Sequence, residues 1–183
     1  MKIVCIGDSL TYGYGVPKEN SWIHLASEIS NNTFINSGLN GDTTSGMLFR
    51  LEEDLIALNP DKAFIMGGTN DFLMGYKLQN TIENIDLIID ECIHNNITPY
   101  LGIQMKIDKK SAELYWSSYI NYDEVNLKIE EYRTHLIKKL KSQNLVYFDF
   151  YEVFENNLIK NLYTDGIHPS IYGHKLMSSI IEF

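Results

Sequence analysis

Lys2-Ile3-Val4-Cys5-Ile6-Gly7-Asp8-Ser9-Leu10 opens the chain, and its reading decides the fold. From Ile3 to Ile6 every side chain is apolar, so neither face of the run is polar. That is the pattern of a strand buried on both sides, and such strands belong to parallel sheets covered by helices. The run stops at Gly7, and Asp8-Ser9 place polar groups where a strand hands over to a helix. Similar strand-length runs recur at 33–36, 63–66, 99–103 and 145–150. All but the run at 63–66 are rich in β-branched or aromatic residues.

Between these runs the apolar period changes from strand to helix. Trp22, Leu25, Ala26 and Ile29 share one stripe, and Met47, Leu48, Leu51, Leu55 and Leu58 share another. Further stripes run from Ile82 to Ile93, from Val125 to Leu140 and from Ile171 to Ile181. Ser21, Thr43, Thr81, Asp123 and Ser170 stand where N-caps are expected. Five strands alternating with helices predict right-handed crossovers and a three-layer α/β/α sandwich around a five-stranded parallel sheet. The longest departure is 104–122, where Lys106-Ile107-Asp108-Lys109-Lys110 precedes Tyr115, Trp116, Tyr119 and Tyr122. A connection of that length is often functional, and its aromatics fit either a lid over the site or a packed helix.

With 183 residues and 44% hydrophobic content, the chain suits one domain over 1–183. A formal net charge of −9 argues against nucleic acid or an anionic membrane surface as partner, since both demand clustered Lys and Arg. A small-molecule partner is favoured. Cys5 and Cys92 are too few and too far apart for a disulfide framework or a metal-binding pair, and both lie in apolar stretches, so they read as buried thiols. No apolar run is long enough for a signal-peptide core or a stably inserted membrane span, which makes the cytoplasm the expected location.

In a parallel sheet, ligands bind beyond the carboxyl ends of the strands. The first strand delivers Gly7-Asp8-Ser9-Leu10 there. The second delivers Gly38-Leu39-Asn40-Gly41-Asp42-Thr43, the third Gly67-Gly68-Thr69-Asn70-Asp71, and the segment after the fifth Asp165-Gly166-Ile167-His168-Pro169. A serine hydroxyl becomes nucleophilic only when a base takes its proton, and imidazole suits that work near neutral pH. Asp165 and His168 are three apart in a turn closed by Pro169. At that spacing the carboxylate reaches Nδ1–H and leaves Nε2 facing outward for Ser9. The oxyanion of acyl transfer needs preorganised donors, which the N–H of Ser9, the N–H of Gly41 and the Asn70 amide can supply. His24, His94, His135 and His174 lie in helical patterns without ligand-spaced partners and read as structural. Asp8, Asp42 and Asp71 suggest a metal or phosphoacceptor cluster, but carboxylates in such turns more often hold loop amides.

On these residues the chain resembles the SGNH hydrolases, also called GDSL esterases and lipases. Gly7-Asp8-Ser9-Leu10 is similar to the family's nucleophile block, Gly41 to its glycine block, Gly68-Thr69-Asn70-Asp71 to its asparagine block, and 165–169 to its DxxHP block. The resemblance implies a flavodoxin-like sheet and Ser9-His168-Asp165 catalysis with no metal or other cofactor. It also implies an oxyanion hole from Ser9, Gly41 and Asn70. The expected reaction is hydrolysis of small acyl or acetyl esters. The alternatives are an acyltransferase using the same triad, or a flavodoxin-like binding module that does no chemistry.

Overall fold

The computed structural model describes residues 1–157 and 161–182. The parts of the expected domain at 158–160 and 183 lie outside the described residues. β1 (Lys2–Gly7) leads into α1 (Ser9–Tyr12) and α2 (Trp22–Glu28). β2 (Thr33–Gly38) is followed by α3 (Thr44–Phe49) and α4 (Leu51–Asp54), and β3 (Lys62–Met66) by α5 (Thr69–Leu73) and α6 (Leu78–His94). β4 (Thr98–Ile103) precedes α7 (Lys109–Tyr115) and α8 (Tyr122–Ser142), and β5 (Val146–Asp149) precedes α9 (Phe150–Glu155) and α10 (Ile171–Ser178). The strands pair in the order β2-β1-β3-β4-β5, every pair parallel. This is the doubly wound order whose crevice lies where the chain reverses between β1 and β3.

Alternation along the strands divides the interior into two cores. Val4, Ile6, Ala63, Ile65 and Leu101 point to one face and pack with Ile85 and Ile88 of α6 and Ile129 and Leu136 of α8. Ile3, Cys5, Phe64 and Met66 point to the other and meet Trp22 of α2, Phe154 of α9 and Met177 of α10. The two cores make three layers, as expected from runs that were apolar on both faces. Cys5 and Cys92 are both buried and free. Trp22 links core to site: fully buried, its ring lies 4.7 Å from that of Phe64, tilted at 48°, and its Nε1–H donates to the Leu10 carbonyl at 2.9 Å, tying α1 to the core.

Three expectations need correction. The stripe from Met47 to Leu58 is not one helix but α3, α4 and a 3-10 turn over Ile56–Leu58. The break falls at Arg50, whose guanidinium turns back to accept duties elsewhere, bonding the carbonyls of Gly7 at 3.0 Å and Ser37 at 2.8 Å. Ser21, Thr43 and Ser170 cap their helices through side-chain oxygens. Thr81 and Asp123 do not: α6 begins earlier, at Leu78, and Asn121 caps α8 by accepting from Glu124 N–H at 3.3 Å. The segment 104–122 is neither wholly lid nor wholly packed helix. Met105, Ile107, Ala112 and Tyr122 are buried, while Leu114, Tyr115 and Tyr119 are exposed.

Candidate active site

The carboxyl edge of the sheet gathers the residues expected there. Ser9 is the first residue of α1, entered directly from β1 through Asp8. Asp8 accepts from Leu10 N–H at 2.9 Å and so caps the short helix. As the opening residue, Ser9 has an N–H with no partner inside the helix, left free for the pocket. The Ser9 hydroxyl lies 2.9 Å from His168 Nε2, and His168 Nδ1 lies 2.7 Å from Asp165 Oδ2. With the carboxylate at Nδ1 the proton belongs on that nitrogen, which leaves Nε2 as an acceptor facing the serine.

The turn that presents this pair is fixed by its own backbone. Asp165 Oδ1 accepts from the N–H groups of Ile167 at 2.9 Å and His168 at 2.8 Å. Thr164 donates both its N–H and its hydroxyl to the His168 carbonyl at 2.9 Å, so the loop closes on itself. Burial pushes the Asp165 carboxyl up, but the His168 ring and the two amides outweigh it and hold the group below its usual range. Asp165 is therefore an anion beside the imidazole.

Gly41 and Asn70 stand beside Ser9 in a cavity of about 120 Å³. Asn40, Leu73 and Ile167 also line it, as do the rings of Tyr14 and Trp116. Gly41 has φ +77 with no protein atom within 4 Å of where a Cβ would sit, so backbone conformation, not crowding, requires glycine there. One amide hydrogen of Asn70 goes to the Asp42 carbonyl at 2.8 Å. The Nδ2 atom also makes a long contact, 3.5 Å, with Asp8 Oδ2.

The three aspartates each serve the loops. Asp42 pairs with Arg50 Nε at 2.7 Å, and the same guanidinium holds the carbonyls at the ends of β1 and β2. Asp71 accepts from Thr44 N–H at 2.9 Å and its hydroxyl at 2.5 Å, joining the Asn70 loop to the start of α3. Among the described residues no three His, Cys, Asp or Glu side chains are gathered to hold a metal ion. Asp8 is fully buried, and desolvation, reinforced by the charges of Asp71 and Asp42, pushes its carboxyl up to about 7. His174 packs beneath the site, its Nδ1 accepting from Trp22 N–H at 3.3 Å. Burial pushes it down to about 4, as suits a neutral structural imidazole.

Sequence reasoning missed Arg50, Tyr14 and the docking of α7. Gly166, with φ +93, lies so close to α7 that a Cβ would sit 2.6 Å from the Asp108 carbonyl oxygen and 2.9 Å from Ala112 Cα. Asp108 N–H donates to the Gly166 carbonyl at 2.8 Å. Asn126 of α8 holds the preceding loop by accepting from Ile107 N–H at 2.8 Å and donating to its carbonyl at 2.9 Å. A glycine between Asp and His was a signal that something approaches that backbone closely. Nothing in the sequence said what.

Known proteins share this arrangement of chain. An arylesterase of Vibrio mimicus is 28% identical over 126 residues, covering 64% of this chain and 63% of its own length. An acetylxylan esterase of Geobacillus stearothermophilus is 28% identical over 152 residues, covering 79% of this chain and 68% of its own. The chain thus spans a little under two thirds of the first relative. The crystal structure of a member of the lipolytic protein G-D-S-L family from Veillonella parvula superposes with a TM-score of 0.82 at 27% identity, over 98% of this chain and 94% of that one. Among the described residues no helix is long and apolar enough to cross a membrane. Ser9, Gly41, Asn70, Asp165 and His168 all fall within residues 5–176, the stretch that matches the model of the GDSL-like Lipase/Acylhydrolase family, and to that family the chain belongs.

Proposed function

We propose that the protein is a serine esterase that hydrolyses small acyl or acetyl esters through Ser9, His168 and Asp165. The observation that carries this is the continuous chain from Ser9 Oγ to His168 Nε2 at 2.9 Å and from His168 Nδ1 to Asp165 Oδ2 at 2.7 Å. Ser9 Oγ attacks the ester carbonyl carbon as His168 Nε2 takes its proton. The carbonyl oxygen becomes an oxyanion received by the N–H groups of Ser9 and Gly41 and by the Asn70 amide. Collapse of the tetrahedral intermediate breaks the bond to the leaving oxygen, which takes the proton from Nε2 and departs as the alcohol. Water then gives a proton to His168, attacks the acyl-Ser9 carbonyl and releases the carboxylic acid, restoring the serine.

Cavity size supports a short acyl group. At about 120 Å³ the space over Ser9, which must also admit the atoms next to the leaving oxygen, is well below the ~300–1,000 Å³ of ordinary drug-sized ligand sites. An acyl chain of roughly two to six carbons suits it, since a longer chain leaves methylenes outside and forgoes ~0.8 kcal/mol of burial for each. The relatives named arylesterase and acetylxylan esterase agree in reaction type. The test is steady-state hydrolysis of an acetyl-to-decanoyl ester series by the wild-type chain, with an added alcohol competing against water. Turnover greatest at short acyl chains, with free acid as main product, is expected. Transfer of most acyl groups to the alcohol would make the protein an acyltransferase, and absence of any turnover would sink the esterase reading.

A further inference from the structure

Two aromatic rings approach the imidazole. Tyr14, in the loop after α1, lies with its ring centroid 4.5 Å from that of His168 and inclined at 49°. Trp116, at the end of α7, lies 5.5 Å from it and inclined at 55°. They arrive from segments a hundred residues apart, yet both line the same small cavity as Ser9. Each is held by its backbone: Tyr14 N–H donates to the Ser9 carbonyl at 3.0 Å, and Trp116 N–H to the Ala112 carbonyl at 2.9 Å. Each is also only partly covered, with 43% and 50% of its surface exposed. Among the described residues neither Tyr14 Oη nor Trp116 Nε1 has a hydrogen-bond partner. Large rings left half bare at a pocket are available to a ligand, with polar tips ready to bond it.

The chemistry says which part of the ligand they meet. Resting on the esterase reading, the leaving oxygen must come within hydrogen-bond reach of His168 Nε2 to take its proton. The carbonyl oxygen is committed to Gly41 and Asn70. The group attached to the leaving oxygen is therefore the one that extends past the imidazole, toward the two rings beside it. We propose that Tyr14 and Trp116 form an aromatic seat for the leaving alcohol, so that the site selects esters whose alcohol carries a ring over those of open-chain alcohols. A ring offers a broad face to stack, and its rigidity means little conformational freedom is lost on seating. This differs from both expectations for the aromatics of 104–122, a lid over the site or a packed helix. Of that set only Trp116 reaches the cavity, and it does so beside the proton donor.

A phenol and a pyranose both present such a face, and substrates separate the two sources. The assay measures kcat/KM for phenyl acetate, a monoacetylated methyl pyranoside and ethyl acetate with wild type, Tyr14→Ala, Trp116→Ala and Trp116→Phe. Dividing each ring ester by ethyl acetate within one variant, and comparing variants, removes the intrinsic reactivity of each leaving group. The ratio is expected to fall between about twofold and tenfold in each alanine variant and to be largely kept by Trp116→Phe. A fall confined to phenyl acetate assigns the seat to aryl alcohols, one confined to the pyranoside assigns it to sugars, and a fall in both supports a general ring seat. Ratios unchanged in both alanine variants overturn the proposal. So does a change that appears instead between acetate and butyrate of a single alcohol, which would put the rings on the acyl side. Failure of the esterase reading looks different: wild type would then hydrolyse none of the esters.

Discussion

Gly166→Ala tests whether α7 and the Asp165–His168 turn act as one rigid body. At φ +93 an L side chain costs roughly 1–2 kcal/mol in the backbone alone. The added methyl would also lie 2.6 Å from the Asp108 carbonyl oxygen and 2.9 Å from Ala112 Cα, where ordinary contact begins near 3.4 Å. Those are backbone atoms, so no side-chain rotation makes room, and the two segments must part by about 1 Å. Parting them weakens the 2.8 Å bond from Asp108 N–H to the Gly166 carbonyl, worth about 1 kcal/mol. The combined loss of stability is roughly 2–3 kcal/mol. Only Ile167 separates Gly166 from His168, so the displacement reaches the imidazole. A misplacement near 1 Å costs on the order of 10²-fold in rate. The assay pairs urea unfolding with kcat on a short-chain acetate at a temperature where the variant is fully folded. A folded variant that loses the expected stability but keeps wild-type kcat would refute the coupling of α7 to the triad turn.

Three further outcomes are expected. Ser9→Ala and His168→Ala should each lower kcat by roughly 10³-fold or more, and the double variant should be little worse than either, because the proposed mechanism uses the pair as a unit; losses that multiply would separate them. Asn70→Ala should lower kcat by about 10²-fold with a smaller change in KM, since the proposed role of its amide is to serve the oxyanion more than the ground-state carbonyl; a raised KM at unchanged kcat would place it in substrate binding. Asp8→Asn should gain in stability relative to wild type as pH rises. Between the ordinary value of 3.8 and about 7 the folded protein keeps a proton that the unfolded chain has lost, so wild-type stability falls across that window and levels off above it. The variant's advantage should grow by up to ~4 kcal/mol between pH 4 and pH 8 in paired urea titrations. An advantage that does not change with pH would mean Asp8 ionises freely in its buried place.

The strands were legible because a run such as Ile3 to Ile6, apolar on both faces, has few other places to go than the middle of a covered sheet. The observed strands start and end within two residues of the expected ones. The site loops were legible for a related reason: the parallel topology sends Gly7, Gly38, Met66 and their successors to one edge, where Ser9 and Asn70 are polar residues just past strand exits, and His168 reaches the same edge from the segment between α9 and α10. Arg50 was not legible. Its apolar neighbours Met47, Leu51 and Leu55 kept helical period across the break, and the guanidinium's bonds to Gly7 and Ser37 are tertiary. Asn126 reads in sequence as an ordinary polar position of an exposed helix face, yet both its amide atoms bond Ile107. Tyr14 and Trp116 carry no period that marks them for the site. Their approach to His168 follows from where the loop after α1 and the end of α7 meet the 165–168 turn, which local sequence does not encode.

The central claim is that Ser9 is a nucleophile activated by His168. It is tested most directly by treating the protein with a fluorophosphonate, which phosphonylates an activated serine with loss of fluoride, and locating the adduct by peptide mass spectrometry. The account predicts one stoichiometric adduct on the peptide carrying Ser9, absent from Ser9→Ala and formed far more slowly in His168→Ala. An unlabelled wild-type protein, or an adduct at another serine, would contradict it.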